Sequence, residues 1–238
     1  MVIPKSGRSK APPPSTFSPS IAPSLVAEPS YTWSDDDALY AISLLGADQS
    51  GNFSVGEGAL RLWLDQIQQP AECLEEGQVL EAYTERAQRA MQDGVVGASA
   101  ASEFPKFTVL RTLNGAPTHV LVKFSSSDNS AGTQRWSDLL IRELLAAQTL
   151  ATVPGLSSAQ TSILQAGNRT FLEAVRFDRP GIRGRSALCS WAAFNYGWFG
   201  LAGRPWTEGA VRVLERGLID PDTAGRQCQF YALIINSL

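Results

Sequence analysis

The chain has 238 residues, 44% of them hydrophobic and 18% charged, enough apolar material to bury a core in one large or two small domains and too much for extended disorder. A formal net charge of −3 and an isoelectric point near 5.3 give no general electrostatic reason to expect nucleic-acid binding. Cys73, Cys189 and Cys228 have neither metal-ligand spacing nor pairing logic and read as buried thiols of a reducing compartment. His119 is the only histidine, and its place at the head of the apolar run Val120 to Val122 suits an ordinary strand residue better than a triad or metal site.

Residues 1–30 are rich in proline and serine, cannot pack a core and read as a mobile tail. No apolar stretch has signal-peptide or membrane-span length, so the expected location is cytoplasmic, with no membrane partner. Order is expected from Tyr31. Ser34 followed by Asp35, Asp36 and Asp37 caps a helix through Leu45, with Gly46 as its stop. A second helix over 57–68 takes Leu60, Leu62, Trp63, Leu64 and Ile67 as its apolar side, and a third over 76–92 takes Leu80, Tyr83, Ala87 and Met91. Residues 31–93 thus read as a small helical subdomain.

The pattern then changes. A run of small residues from Gly97 precedes two β-rich segments, 106–113 and 118–124, around Asn114-Gly115, with Ala116-Pro117 lengthening the connection beyond two residues. A polar loop from Ser125 to Thr133 leads to a helix over 136–150, with Leu139, Glu143, Ala146 and Leu150 on one face and Leu140, Leu144 and Ala147 beside it. A second hairpin joins 161–166 to 170–177 through Gly167-Asn168. The rest reads as helical and aromatic, with a cluster over 191–199 before helices near 207–216 and 223–238.

The order of parts is that of a phosphoryl-transfer site: a loop of small residues whose amides approach phosphates, a lysine on a strand, and a glutamate on the next helix that can hold it. Alternation along Val120-Leu-Val-Lys-Phe124 sends Lys123 to the face opposite Val122 and Phe124. Lys123 is then either a solvated strand lysine or a phosphate ligand, and Glu143 either its partner or a surface acid, as rotation about the helix decides.

Ser99-Ala-Ala-Ser-Glu-Phe-Pro-Lys106, His119-Val-Leu-Val-Lys-Phe-Ser125, Arg135-Trp-Ser-Asp-Leu-Leu140 with Glu143, and Phe171-Leu-Glu-Ala-Val-Arg-Phe-Asp-Arg179 with Gly184-Arg185 resemble the HipA family of bacterial serine/threonine kinases, and its YjjJ-like branch more closely. The resemblance spans roughly 33–238. It implies an α+β fold: a protein-kinase-like N-terminal lobe of antiparallel strands over 94–179, the start of a helical C-lobe over 180–238, and the helical N-terminal subdomain over 31–93.

It implies ATP and Mg²⁺ as cofactors, and roles position by position. Residues 99–106, with Ala101, Ser102 and Lys106, would cover the phosphates that Lys123 contacts. Val175, Arg176 and Phe177 would be the hinge strand meeting adenine, and Ser99 stands where the family carries a regulatory phosphorylatable serine. Asp178, Arg179 and Arg185 would brace the loop into the helical lobe, although a salt-bridged strand exit without ligand contact suits Asp178 and Arg179 better.

The departures matter too. Ala101-Ser102 and Phe104 stand at glycine and glutamine positions of the family loop, which should weaken nucleotide affinity. Asn236-Ser237 fits the opening of the family's catalytic loop, but Leu238 occupies the aspartate's place, so the general base and metal ligands are expected to be missing and this chain alone to be inactive. The expected partners are a nucleotide, and an antitoxin or a complementary C-terminal lobe. The alternative to a kinase fragment is a non-catalytic interaction module pairing with either of the last two.

Overall fold

A computed structural model describes residues 34–92, 105–200 and 205–235. The expected tail over 1–30 and the positions Ser99, Ala101, Ser102 and Leu238 lie outside the described residues. Among those described, seven α-helices accompany one four-stranded antiparallel sheet, a mixed α+β architecture.

Helix α1 (Asp35–Leu45) begins with a capping box: Asp37 N–H donates to Ser34 Oγ at 3.2 Å and Ser34 N–H donates to Asp37 Oδ2 at 3.0 Å. A loop over 46–54 turns back into α2 (Gly56–Gln68). Gly56 has φ +81, and a Cβ there would stand 2.6 Å from Ser43 Cβ, so the two helices approach where only glycine fits. Buried Ala59 and half-buried Trp63 and Ile67 form the inward line of α2, whereas Leu60, Leu62 and Leu64 are exposed, against the apolar side expected from the sequence. In α3 (Val79–Gln92) the inward line is Val79, Tyr83 and Ala87, and Leu80 and Met91 face solvent. Both helices keep the i, i+4 line that packs flattest and leave the flanking leucines outside.

Strands β1 (Lys106–Leu113) and β2 (Ala116–Phe124) form one hairpin, β3 (Thr161–Ala166) and β4 (Arg169–Val175) another. The long helix α4 (Ala131–Ala151) links them, and the sheet order is β1-β2-β4-β3. Leu113 pairs with Ala116 and Thr112 with Pro117, so the first turn is Asn114-Gly115 alone and the longer connection expected from Ala116-Pro117 is not formed. Proline fits because β2 meets β4 only from His119 onward, so its missing N–H falls where β2 has no second neighbour. Both turns hold two residues at positive φ, Asn114 and Gly115 at 52 and 78, Gly167 and Asn168 at 55 and 58, the left-handed pair that matches strand twist.

The core lies between α3 and one sheet face. Val109, Val120, Val122, Phe124 and Phe171 pack there with Val79, Tyr83 and Ala87, and Tyr83 meets Phe107 edge-on at 5.4 Å between ring centroids. Within this core Glu173 accepts from the Tyr83 hydroxyl at 2.6 Å and from Arg111 Nη1 at 2.9 Å, all three side chains buried. Burial and the Glu173 carboxylate push the Tyr83 phenol well above its ordinary pKa.

The aromatic segment over 191–199, read from sequence as part of a helical and aromatic region, is helix α5 (Trp191–Phe199), capped by Ser190 and closed by Gly200 at φ 66. Helix α6 (Trp206–Glu215) packs beside it, and α7 (Pro221–Ile235) packs on α6, Trp206 stacking on Phe230 at 6.1 Å. None of the three cysteines is buried, contrary to expectation: Cys189 is exposed, Cys73 and Cys228 partly so, and all are free thiols.

Candidate functional site

Strand alternation and register decide which side chains share the sheet face away from α3. Lys106 pairs with Lys123, and Lys123 with Leu172; one row along, Thr108 pairs with Leu121 and Leu121 with Ala174; beyond that, Leu110 pairs with His119. Arg176 N–H donates to His119 O at 2.9 Å, which carries the pairing of β2 and β4 one residue further. The face therefore bears two lysines at one end, a half-buried strip of Thr108, Leu121 and Ala174 in the middle, and His119 with Arg176 at the other.

At the first end, Lys123 Nζ donates to Glu143 Oε1 at 2.5 Å. The lysine side chain is 20% exposed and the glutamate 44%. Leu140, one turn earlier, is fully buried, and the inward stripe of α4 runs through Leu140, Leu144 and Ala147, with Leu139 outside. Glu143 flanks this stripe rather than pointing into it, and reaches the lysine from the edge. Lys106 is buried. Burial and the neighbouring Lys123 charge hold its pKa below the ordinary lysine value, Glu143 opposing them only in part. Like charges directly opposite on adjacent strands are unfavourable. An anion placed beside both ammonium groups would relieve them.

At the other end, a clamp joins the strand exit to the 46–54 loop. Arg176 Nη1 donates to both oxygens of Asp48 at 2.8 and 2.7 Å, while its Nε and Nη2 donate to Asp178 at 3.1 and 2.9 Å. Arg179 donates to Asp48 Oδ1, to Asp178 Oδ2 at 2.8 Å, to Gly51 O at 2.7 Å and to Gln49 O. Arg185 reaches Gly51 O and Phe53 O at 3.2 and 3.1 Å, and Thr108 Oγ1 donates to Asp48 Oδ2 at 2.8 Å. Burial disfavours the Asp178 carboxylate, but the Arg176 bonds, the Gly51 N–H and the two arginine charges overcome it and hold the pKa at about 2.

Asp178, Arg179 and Arg185 thus hold the loop of the N-terminal helices, and Ser186 N–H donates to Asp178 O at 3.0 Å, so the segment leading toward α5 is tied to the same cluster. Of the residues expected at the hinge, Val175 and Arg176 already donate their N–H groups, to Gln160 O and His119 O, and the ring of Phe177 is 72% exposed. His119 is a strand residue whose Nε2–H donates to Ile182 O at 2.8 Å.

Two open clefts of about 340 Å³ each flank Trp63, Arg183 and Arg185. One of them reaches the sheet face at Asp48, Thr108, Leu110 and His119; neither is lined by Lys106, Lys123 or Glu143. Residues expected to cover the lysines, Ser99, Ala101 and Ser102, lie outside the described residues. Among the described residues no group of three or more His, Cys, Asp or Glu could hold a metal ion, so the Mg²⁺ implied by the resemblance finds no ligand set there and no step is assigned to it. No helix among them is long and apolar enough to cross a membrane.

Sequence reasoning missed Asp48 and the buried Arg111–Glu173–Tyr83 network. Asp48 sits in a polar turn with no distinguishing pattern, but Glu173 was visible: it shares its strand face with Phe171, and a carboxylate on a core face needs a buried partner.

The chain is similar to Toxin YjjJ of Escherichia coli (strain K12), 35% identical over 209 residues. The match covers 86% of this chain and 46% of that protein, so the chain spans about half the length of the curated relative it matches. No family model matches the chain. No solved structure matches it either.

Proposed function

We propose that this chain carries the nucleotide-binding lobe of a HipA-like serine/threonine kinase of the toxin–antitoxin type, in which Lys106 and Lys123 hold the phosphates of ATP and Glu143 fixes Lys123. The observation that carries the reading is the ion pair between Lys123 and Glu143 at 2.5 Å beside a second, buried lysine. A lysine pinned by a helix glutamate presents its charge at a fixed point, which suits a group that must meet phosphate oxygens without reorganising. Leu121, two residues before Lys123, lies on the same face with Ala174, an apolar strip beside the phosphate end that suits a sugar and base. Similarity to Toxin YjjJ supports the toxin part of this assignment. The reading concerns binding; the proton transfer and metal chemistry of phosphoryl transfer need carboxylates that it does not place.

A ligand that binds the folded state alone raises apparent stability, by about 2.7 kcal/mol at a hundredfold excess over Kd. Thermal unfolding with millimolar ATP should therefore move upward, and Lys123→Ala should abolish the shift while leaving the unliganded midpoint nearly unchanged. No shift in the wild-type chain would overturn the reading.

One observation favours a second reading, an interaction module that pairs with an antitoxin or with a complementary C-terminal lobe. Helix α5 is apolar nearly all round, yet Tyr196 and Trp198 are 67% and 55% exposed, on a helix whose composition suits burial. Co-expression with the segment of the relative that the match does not cover should restore ATP hydrolysis under this reading.

A further inference from the structure

We propose that Asp48, in the loop between α1 and α2, is a positioning residue for the base end of the nucleotide site, so that the N-terminal helices help set base affinity. The proposal rests on the nucleotide reading above. One carboxylate there joins three separate stretches of chain: it accepts from Thr108 on β1, from Arg176 just after β4, and from Arg179 in the following turn. The Arg176 side chain is only 9% exposed and donates to Asp48 on one side and Asp178 on the other, so its guanidinium plane is fixed by four hydrogen bonds.

Leu172 stands opposite Lys123. By strand rise, Val175 to Phe177 lie roughly 10 to 17 Å further along the chain, the reach of an extended nucleoside triphosphate whose phosphates sit on the lysines. Thr108, Leu121 and Ala174 floor the interval, and Asp48 lines the cleft that opens at its far side. Without Asp48, Arg176 and Arg179 would lose their shared anchor, and the strand exit would no longer be held against the floor on which a base would lie. Nothing in this geometry touches the phosphate end.

That separation supplies the test. Inorganic tripolyphosphate probes the lysine end alone, whereas ATP engages both ends. In calorimetric titrations of the full chain, Asp48→Asn should weaken ATP about tenfold as the anchor shared by Arg176 and Arg179 loosens. It should leave tripolyphosphate affinity unchanged, and Lys123→Ala should weaken both ligands. A purely structural role for Asp48 would lower the affinity for both ligands or for neither, and either result overturns the proposal. Should Asp48→Asn fail to fold, Arg179→Lys, which keeps the charge and loses the planar fork, reads the same difference between the two ligands. Wild-type protein that binds neither ligand would instead sink the nucleotide reading itself.

Discussion

The two faces of the sheet each carry a cation–carboxylate pair, and they are built oppositely. On the α3 face Arg111 and Glu173 are 6% and 3% exposed, with the Tyr83 hydroxyl on the same carboxylate, so the donors and the acceptor satisfy one another inside the core. On the opposite face Lys123 and Glu143 are 20% and 44% exposed, and a second lysine stands beside them with its charge disfavoured. A sealed pair resists removal of either partner because the survivor has no water to turn to. An open pair contributes little to folding and can exchange or add ligands. The same chemistry thus reads as scaffold on one face and as site on the other, and burial makes the difference.

The sharpest way to break this contrast is Glu173→Ala. It leaves Arg111 charged and unpaired in the core and takes the acceptor from Tyr83, a loss of about 3–5 kcal/mol, and against a total of roughly 5–15 it should strongly depopulate the folded state. Urea unfolding monitored by far-ultraviolet dichroism measures it. Replacing the whole network with apolar residues, Arg111→Met with Glu173→Leu and Tyr83→Phe, should recover most of the loss; failure to recover would show that these charges do more than balance one another.

The Asp178 clamp belongs with the sealed kind and adds a pH test. Its folded pKa of about 2 lies below the ordinary value of 3.8, so its contribution to stability is full above pH 4 and is lost as the pH falls toward 2. The difference corresponds to about 2 kcal/mol. Unfolding titrations between pH 5 and 2 should show a drop in the wild type that exceeds the drop in Asp178→Asn by about this amount. An equal drop in both would place the acid sensitivity elsewhere.

How much of this was legible in the sequence follows from the range of each interaction. Asn114-Gly115 and Gly167-Asn168 announced both hairpins because turn preference is local to the residues that turn. Alternation gave the face of Lys123 for the same reason. The inward lines of α2 and α3 were partly misread, since several leucines compete for one side and only packing selects among them. The clamp was not legible as built, because Asp48 meets Arg176 and Arg179 across 128 and 131 residues, and no local pattern announces so distant a partner. Arg176 and Arg179 were noticed for a motif, while their shared partner Asp48 was not.

The smallest expected effect tests the open face. Glu143→Gln removes a half-exposed partner from Lys123, so the unfolding free energy should fall by less than about 1 kcal/mol. The same change removes the carboxylate that partly offsets the repulsion felt by Lys106. The Lys106 pKa should therefore fall further, and amine-reactive labelling of that residue at neutral pH should quicken, as read by peptide mass spectrometry. Stability and reactivity would then part company on this face, whereas on the α3 face any loss of charge balance should register as unfolding. If Glu143→Gln destabilised the chain as much as Glu173→Ala, the open pair would be scaffold too, and the case for a ligand at Lys106 and Lys123 would lose its physical basis.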